Sequence, residues 1–338
     1  MNLKMNPPGL SHLWVFITFT NKIKCEQIIP LTIVDKHLVL WKSQSGQLSL
    51  LDAYCPHLGA HLEKGTIKGE MIQCNFHNRK FDVNGICSGF GKNNPSYILQ
   101  QVDNMIFAWF GDTAPTWEVP SFLKGFAGND DSSEWKILKT KKLNYNFAPK
   151  DLLDNTVDPI HFKTFHKQCD NYKPIEIISK NHFCFISKAT FIGHPSFTKR
   201  NIPFLLELVT ESYGPTNLIV SATAKFLGRE YYFKFIFLCT PKASINTDYT
   251  LSIAIKTKPK QKLSIPQRLF LFFYVREAFR IQIKEFRIES RNIWETKTYL
   301  ENPDYFPQEQ AMNEYNEWYK QFFIKDLTTK VKKIPIEA

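Results

Sequence analysis

Two short residue pairs carry the densest chemistry in this chain. They are Cys55-Pro56-His57 and Cys74-Asn75-Phe76-His77, with sixteen residues between His57 and Cys74. Each pair offers one sulfur and one imidazole nitrogen from a tight loop. Two thiolates and two imidazoles suit a [2Fe–2S] cluster in which one iron takes both Cys and the other both His. Structural zinc is the plainer alternative, but finger spacing groups both Cys before both His, and here each pair is mixed. Gly59, Gly65, Gly69 and Gly85 punctuate the stretch with the backbone freedom such loops use.

A second set of donors lies in the string NTVDPIHFKTFH, residues 155–166. Asp158 and His161, three apart, share roughly one face of a helix. His166 is five beyond His161, about 140° round a continuous helix. Both imidazoles meet one metal only if the helix ends or distorts between them. Pro159 cannot donate to a helix ladder and disturbs the preceding turn, so irregular backbone is expected there. Taken alone, two His five apart on a half-buried element are more often core residues than ligands.

The two strings together change that balance. DAYCPHLGAHL followed by CNFHNRKFDVNGIC resembles the Rieske domain of non-haem iron oxygenases. N-x-x-D-x-x-H-x-x-x-x-H downstream of it resembles their mononuclear-iron helix. LLDNTVDPIHFKTFH is most similar to the oxygenase components of 3-ketosteroid 9α-hydroxylases and to cholesterol 7-desaturases. The resemblance runs from Trp14 to Lys297, strong in the motifs and loose elsewhere. It implies a [2Fe–2S] cluster on Cys55, His57, Cys74 and His77, and a mononuclear Fe(II) on His161 and His166. It also implies that Asp158 links the Rieske histidine of a neighbouring subunit to the iron site in a head-to-tail homotrimer, with Asn155 in the same site. Electrons would come ultimately from NAD(P)H through a reductase or ferredoxin. Respiratory Rieske proteins carry an extra disulfide-forming Cys in each loop; the matching positions here are Ala60 and Phe76, which favours the oxygenase-like branch.

The sequence departs from the family in two places. After His77 the family has Gly-Trp, and this chain has Asn78 and Arg79. On the long C-terminal helix the family has Asp-x-x-Ile-Trp-Glu, and this chain reads ESRNIWE over 289–295. Anchoring on Ile293-Trp294-Glu295 puts Ser290 at the third ligand position, with Glu289 about 100° away on a regular helix. Three readings stay open. A register shift brings Glu289 in; water or an anion fills the gap; or the site holds iron poorly and oxygenase chemistry is lost.

These donors must be positioned by folded elements. At 338 residues two domains are expected, and 29 Phe supply core material. Short strand-like runs broken by turns fill residues 12–112, with hairpins expected at Ser45-Gly46 and at Val102-Asp103-Asn104. Residues 113–135 are rich in Pro, Gly, Asp and Ser and read as a linker. Residues 136–330 read as a second domain. Its strands, exemplified by Tyr231–Leu238 and Thr250–Ile255, suit a sheet buried on one face. A long helix from about Pro266 to Thr298 follows, with an apolar stripe of Phe272, Phe279, Ile283, Phe286 and Ile293. The tail, with Tyr305, Phe306, Tyr315, Trp318 and Tyr319, is expected to pack back on the body. The fold class is therefore α+β: an N-terminal antiparallel β Rieske domain and a C-terminal helix-grip domain enclosing a hydrophobic pocket.

Composition narrows the partners. The formal net charge is +11, from 43 Lys plus Arg against 32 Asp plus Glu, without a long basic run. No nucleic-acid module is present, and an acidic redox partner suits the charge better. The Cys at 25, 87, 169, 184 and 239 show no paired spacing, as expected of reduced thiols in a cytoplasmic protein. The apolar runs Leu13–Phe19 and Leu269–Val275 are too short to span a bilayer; the second is expected to be a core helix, with surface association through that helix as the less favoured alternative. The expected activity is a terminal oxygenase that hydroxylates or desaturates a small hydrophobic, steroid-like substrate with O2. The alternative, kept open by Ser290, is a non-catalytic Rieske electron-transfer or redox-sensing protein that binds a hydrophobic ligand.

Overall fold

The structure is a computed structural model that describes residues 6–89, 91–124, 135–165, 169–170, 174–193, 204–226, 229–256 and 264–324. His166 lies outside the described residues. The N-terminal part comprises β1 (Leu13–Phe19), β2 (Ile28–Ile33), β3 (Lys36–Lys42), β4 (Leu48–Asp52), β5 (Thr66–Lys68), β6 (Met71–Gln73), β7 (Lys80–Phe81), β8 (Leu99–Val102) and β9 (Met105–Phe110). They form three antiparallel sheets, ordered β1-β9-β8, β2-β3-β4 and β5-β6-β7. Both expected hairpins are present. Asp103 and Asn104 turn the second with φ of 51° and 62°, the left-handed pair of a tight hairpin turn.

The C-terminal part is built on β10 (Trp135–Tyr145), β11 (Cys169–Asp170), β12 (Glu176–Lys180), β13 (Cys184–Gly193), β14 (Phe204–Tyr213), β15 (Asn217–Phe226), β16 (Arg229–Pro241) and β17 (Thr247–Lys256). The sheet is antiparallel, in the order β10-β17-β16-β15-β14-β13-β11, with β12 also paired to β13. Around it lie α1 (Pro149–Asp154), α2 (Pro159–Phe165), α3 (Ile265–Glu289) and α4 (Gln310–Lys320).

The expectation of a sheet buried on one face is corrected. From Phe233 to Cys239, β16 is buried on both faces. Phe233, Phe235 and Phe237 join Phe279 and Phe286 of α3 in one core, while Ile236 and Leu238 join Trp14, Phe16, Trp117 and Phe122 in another. The alternate residues are apolar because the N-terminal part closes the second face. Thr216 Oγ1 and Asn217 Nδ2 donate to the Trp14 carbonyl at 3.0 and 2.9 Å, and Thr240 Oγ1 donates to that of Phe16 at 2.7 Å.

The stretch expected to be a linker contributes to that core. Trp117, Val119 and Phe122 are buried. Asp103 holds the stretch by accepting from Ser121 Oγ at 2.6 Å and Leu123 N at 2.9 Å. Gly214 turns at φ 62° directly against it, where a Cβ would sit 3.1 Å from the Trp117 ring.

Two expectations about the helices are also corrected. Phe272, placed in the inward stripe, is 46% exposed, and among the described side chains of α3 the first buried one is Val275. In the tail, Tyr315, Trp318 and Tyr319 are buried in the core, but Phe306 is 62% exposed.

Candidate metal centres

Two loops of matching construction hold the first donor set, one after β4 and one after β6. In each, the Cys amide donates to the carbonyl five residues on: Cys55 to Ala60 at 2.9 Å, Cys74 to Arg79 at 2.8 Å. In each, the fourth residue after the Cys is left-handed, Gly59 at φ 74° and Asn78 at φ 56°. Asn tolerates that conformation better than most residues other than Gly. The departure at Asn78 therefore keeps the loop geometry, and Gln73 Nε2 donates to its Oδ1 at 2.7 Å.

This scaffold separates the donors by type. Cys55 and Cys74 are 2% and 3% exposed, while His57 and His77 stand at the surface with ring centroids 4.6 Å apart. Burial pushes the Cys55 thiol up, and the neighbouring Cys74 thiol adds to it. His57 is held below the usual imidazole value by desolvation, then by the Arg79 guanidinium and the His77 ring. That favours the neutral imidazole, which is the metal-binding form. Among the described residues, no three His, Cys, Asp or Glu side chains converge on one metal position. The buried sulfur pair and exposed imidazole pair fit the two-and-two division of a Rieske cluster.

The second set is built around a broken helix. Pro149 starts α1 with a preset φ, and Asp151 accepts from the Ala148 amide at 3.1 Å. A 3-10 turn, Asn155–Val157, ends at Asp158, where the backbone extends to φ −95° and ψ 102°. Pro159 then begins α2. Asp158 was expected on one helical face with His161. It is instead the cap of α2, its Oδ1 accepting from the amides of Ile160 and His161 at 2.9 Å each. Burial raises the Asp158 carboxyl above its ordinary value, against the pull of the His161 amide. The irregularity promised by Pro159 falls before His161, and α2 is described from Pro159 to Phe165.

His161 is buried, and the carboxylate facing it is Glu289. His161 Nε2 lies 3.5 Å from Glu289 Oε2, and Asn155 Nδ2 donates to the same oxygen at 3.3 Å. Both partners are nearly closed to solvent, His161 at 8% and Glu289 at 5%. Ser290 is fully buried but turns back on its own helix, donating to the Phe286 carbonyl at 2.5 Å.

The cause is a π-turn. Residues Ser290–Trp294 are wound as π-helix, with Glu295 N donating to Ser290 O at 2.9 Å. Such a turn holds one residue more than an α turn. Its C-terminal side is anchored. Trp294 packs on Phe147 and Phe286, with ring centroids 4.9 and 5.4 Å away. Glu295 Oε1 accepts from the Asn146 amide at 3.0 Å, and Lys297 Nζ meets Asp151 Oδ1 at 2.7 Å. With that end fixed, the extra residue leaves the Glu289 carboxylate facing His161, while Ser290 stays buried against its own helix. The same insertion leaves Ile293, expected inward, only half-buried and seats Trp294 in the core. The pattern of residue types gives no sign of these tethers; a carboxylate beside the vacated ligand position was the one available hint.

The comparisons with known proteins follow this geometry. The Rieske [2Fe-2S] domain model matches residues 13–105, and the 3-ketosteroid 9α-hydroxylase C-terminal domain model matches residues 109–323. The chain belongs to the Rieske oxygenase α subunits. Within them it falls in the 3-ketosteroid 9α-hydroxylase and cholesterol 7-desaturase branch. A 3-ketosteroid-9-alpha-monooxygenase oxygenase component of Rhodococcus rhodochrous is 24% identical, over 87% of this chain and 78% of the relative. A cholesterol 7-desaturase of Ciona intestinalis is 25% identical, over 95% of this chain and 70% of the relative. Among solved structures, dicamba monooxygenase bound to 3,6-dichlorosalicylic acid superposes with a TM-score of 0.70 at 18% identity, covering 92% of this chain and 96% of that one. That likeness bears on the fold: this Rieske oxygenase shares its N-terminal antiparallel β domain and its large C-terminal antiparallel sheet with helices.

Proposed function

We propose that this chain is the terminal oxygenase of a Rieske non-haem iron system acting on a hydrophobic, steroid-like substrate by hydroxylation or desaturation. The observation that carries the reading is Glu289, buried and turned by the π-turn to within 3.5 Å of His161. Cys55, Cys74, His57 and His77 would hold the [2Fe–2S] cluster. His161, His166 and Glu289 would hold a mononuclear Fe(II), a 2-His-1-carboxylate set that leaves positions open for O2 and substrate. When bound, the cluster supplies single electrons and the lone iron supplies oxygen activation.

The chain's own residues do the positioning. Asn155 holds the Glu289 carboxylate by its amide, and Asp158 fixes the start of α2 and so the direction of His161. The exposed His57 and His77, flanked by Leu58 and Phe76 at 64% and 61% exposure, form a tip suited to a neighbouring subunit near Asp158 in a homotrimer. A reductase or ferredoxin, drawing on NAD(P)H, would reduce the cluster. The apolar surface between sheet and α3, where Phe233 meets Tyr274 at 5.8 Å, suits a substrate with few polar groups. The non-catalytic reading rests on the missing carboxylate at Ser290; the buried Glu289 beside His161 supports the oxygenase reading over it.

The test is a single turnover. Protein loaded with cluster and iron is reduced by dithionite, freed of reductant, mixed with a 3-ketosteroid or cholesterol, and exposed to O2. Mass spectrometry should find a hydroxylated or desaturated product coupled to cluster reoxidation. Cluster reoxidation without product from either sterol class would contradict the proposed substrate class.

A further inference from the structure

The solvent face of α3 carries a continuous line of cations. Arg276, Arg280, Lys284 and Arg287 follow at steps of four, four and three, with Arg291 beyond them in the adjoining π-turn, and all are exposed. That spacing keeps the first four on one side of the helix. Helical spacing also hides the line from any search for basic runs in the sequence. Among the described residues, only Arg280 of the five has a carboxylate partner, Glu277 at 2.8 Å. Among the described residues, no carboxylate lies within 4.0 Å of the other four cations. Like charges four apart on a helix are mutually destabilising, so fold stability does not account for the arrangement.

The same face continues into exposed aromatics. Phe272 and Phe273, one turn before Arg276, are 46% and 62% exposed, with ring centroids 5.8 Å apart. They were expected to belong to a core helix, yet the core-facing residue of that turn is Val275, fully buried. Lys139 of the edge strand β10 sits over Phe279 at 5.6 Å and widens the basic surface beside the helix.

We propose that this face of α3 docks on an anionic phospholipid surface. Two adjacent aromatic side chains seat in the headgroup boundary, and the line of cations lies along the lipid phosphates. Apolar anchors joined to Lys and Arg on one helix are the layout of an interfacial element that lies on a bilayer. The docking is peripheral, because among the described residues no helix is long and apolar enough to cross a membrane. Charge complementarity commits the surface to a negative partner, and the exposed phenylalanines favour one with an apolar interior. The proposal stands apart from the oxygenase reading, since docking needs neither iron nor turnover.

Co-sedimentation with vesicles tests it on the cluster-loaded full chain. Phosphatidylcholine vesicles with about 30 mol% phosphatidylglycerol should retain the protein, and pure phosphatidylcholine should not. Retention should weaken between about 0.05 and about 0.5 M NaCl as the charges are screened. Replacing Arg280, Lys284 and Arg287 with Gln should weaken partitioning about a hundredfold, near fivefold per cation. Phe272→Ser with Phe273→Ser should remove the salt-resistant remainder. Circular dichroism confirms that each variant is folded. Failure of the wild-type chain to bind anionic vesicles overturns the proposal, as does unchanged binding by the triple variant. Two further results overturn it by naming another occupant. One is a triple variant whose assembly state changes in light scattering, which makes the face a contact between copies. The other is lost binding to an acidic plant-type ferredoxin probe with vesicle binding intact.

Discussion

Asn155 offers the sharpest test of how the second site is held. Its Nδ2 donates to Glu289 Oε2 at 3.3 Å, on the oxygen that also faces His161. Asn155→Ala removes that donor and leaves a buried carboxylate with one fewer hydrogen bond. A hydrogen bond to a charged group contributes about 1.5–3 kcal/mol, and the long separation here puts it near ~1.5 kcal/mol. At ~1.4 kcal/mol per decade, metal affinity should fall about tenfold, the lower end of the 10–100-fold typical when an orienting partner of a metal ligand is lost. The assay is an anaerobic Fe(II) titration against a chromogenic chelator, using protein with its cluster intact and the mononuclear iron stripped. The cluster absorbance should stay at the wild-type level, because Cys55 and Cys74 lie on separate loops. Affinity unchanged within about twofold would refute the claim that Asn155 orients Glu289.

Two further outcomes are expected. Asn78→Val should destabilise the second cluster loop by about 1–2 kcal/mol, since a β-branched residue resists φ near +56°; Asn78→Gly should be nearly neutral, and equal thermal midpoints for the two variants would count against the loop argument. Asp248 should contribute to acid sensitivity. Burial pushes its carboxyl up, but Lys142 at 2.9 Å, Asn144 at 2.7 Å and Lys242 at 3.1 Å outweigh burial and hold it below the ordinary 3.8. The folded value lies below the unfolded one, so its contribution is complete above about 3.8 and is lost as the pH falls through the folded value. With both lysines partly exposed, Asp248→Asn should cost about 1 kcal/mol in urea melts at neutral pH and nothing at strongly acidic pH; a cost that persists in acid would contradict this.

The cluster loops were legible in the sequence because their chemistry is local. Cys-x-His and Cys-x-x-His set donor order by chain connectivity, and Gly59 and Asn78 are residue types that favour the left-handed turns closing each loop. The irregular backbone at Pro159 was also legible, because proline cannot donate to a helix ladder, but the capping role of Asp158 was not. Glu289 was not. Its placement depends on a π-turn whose far end is fixed by Trp294, Glu295 and Lys297 against residues 146–151, contacts remote in sequence. A regular 100° per residue misplaces every side chain beyond such a turn by about one position, which is why Ile293 was assigned the place that Trp294 fills. The second face of β16 was missed for a similar reason. Its apolar residues meet Trp14 and Trp117, and periodicity within one strand cannot report what covers its other side.

Iron stoichiometry in paired variants tests the central claim most directly. After anaerobic loading, the wild-type chain should hold about three irons, two in the cluster and one mononuclear. Glu289→Ala should hold about two, Ser290→Ala about three, and Ser290→Asp should fail to restore the lost iron when combined with Glu289→Ala. Full occupancy in Glu289→Ala, or loss of the third iron in Ser290→Ala, would show that the π-turn does not deliver the carboxylate to the metal.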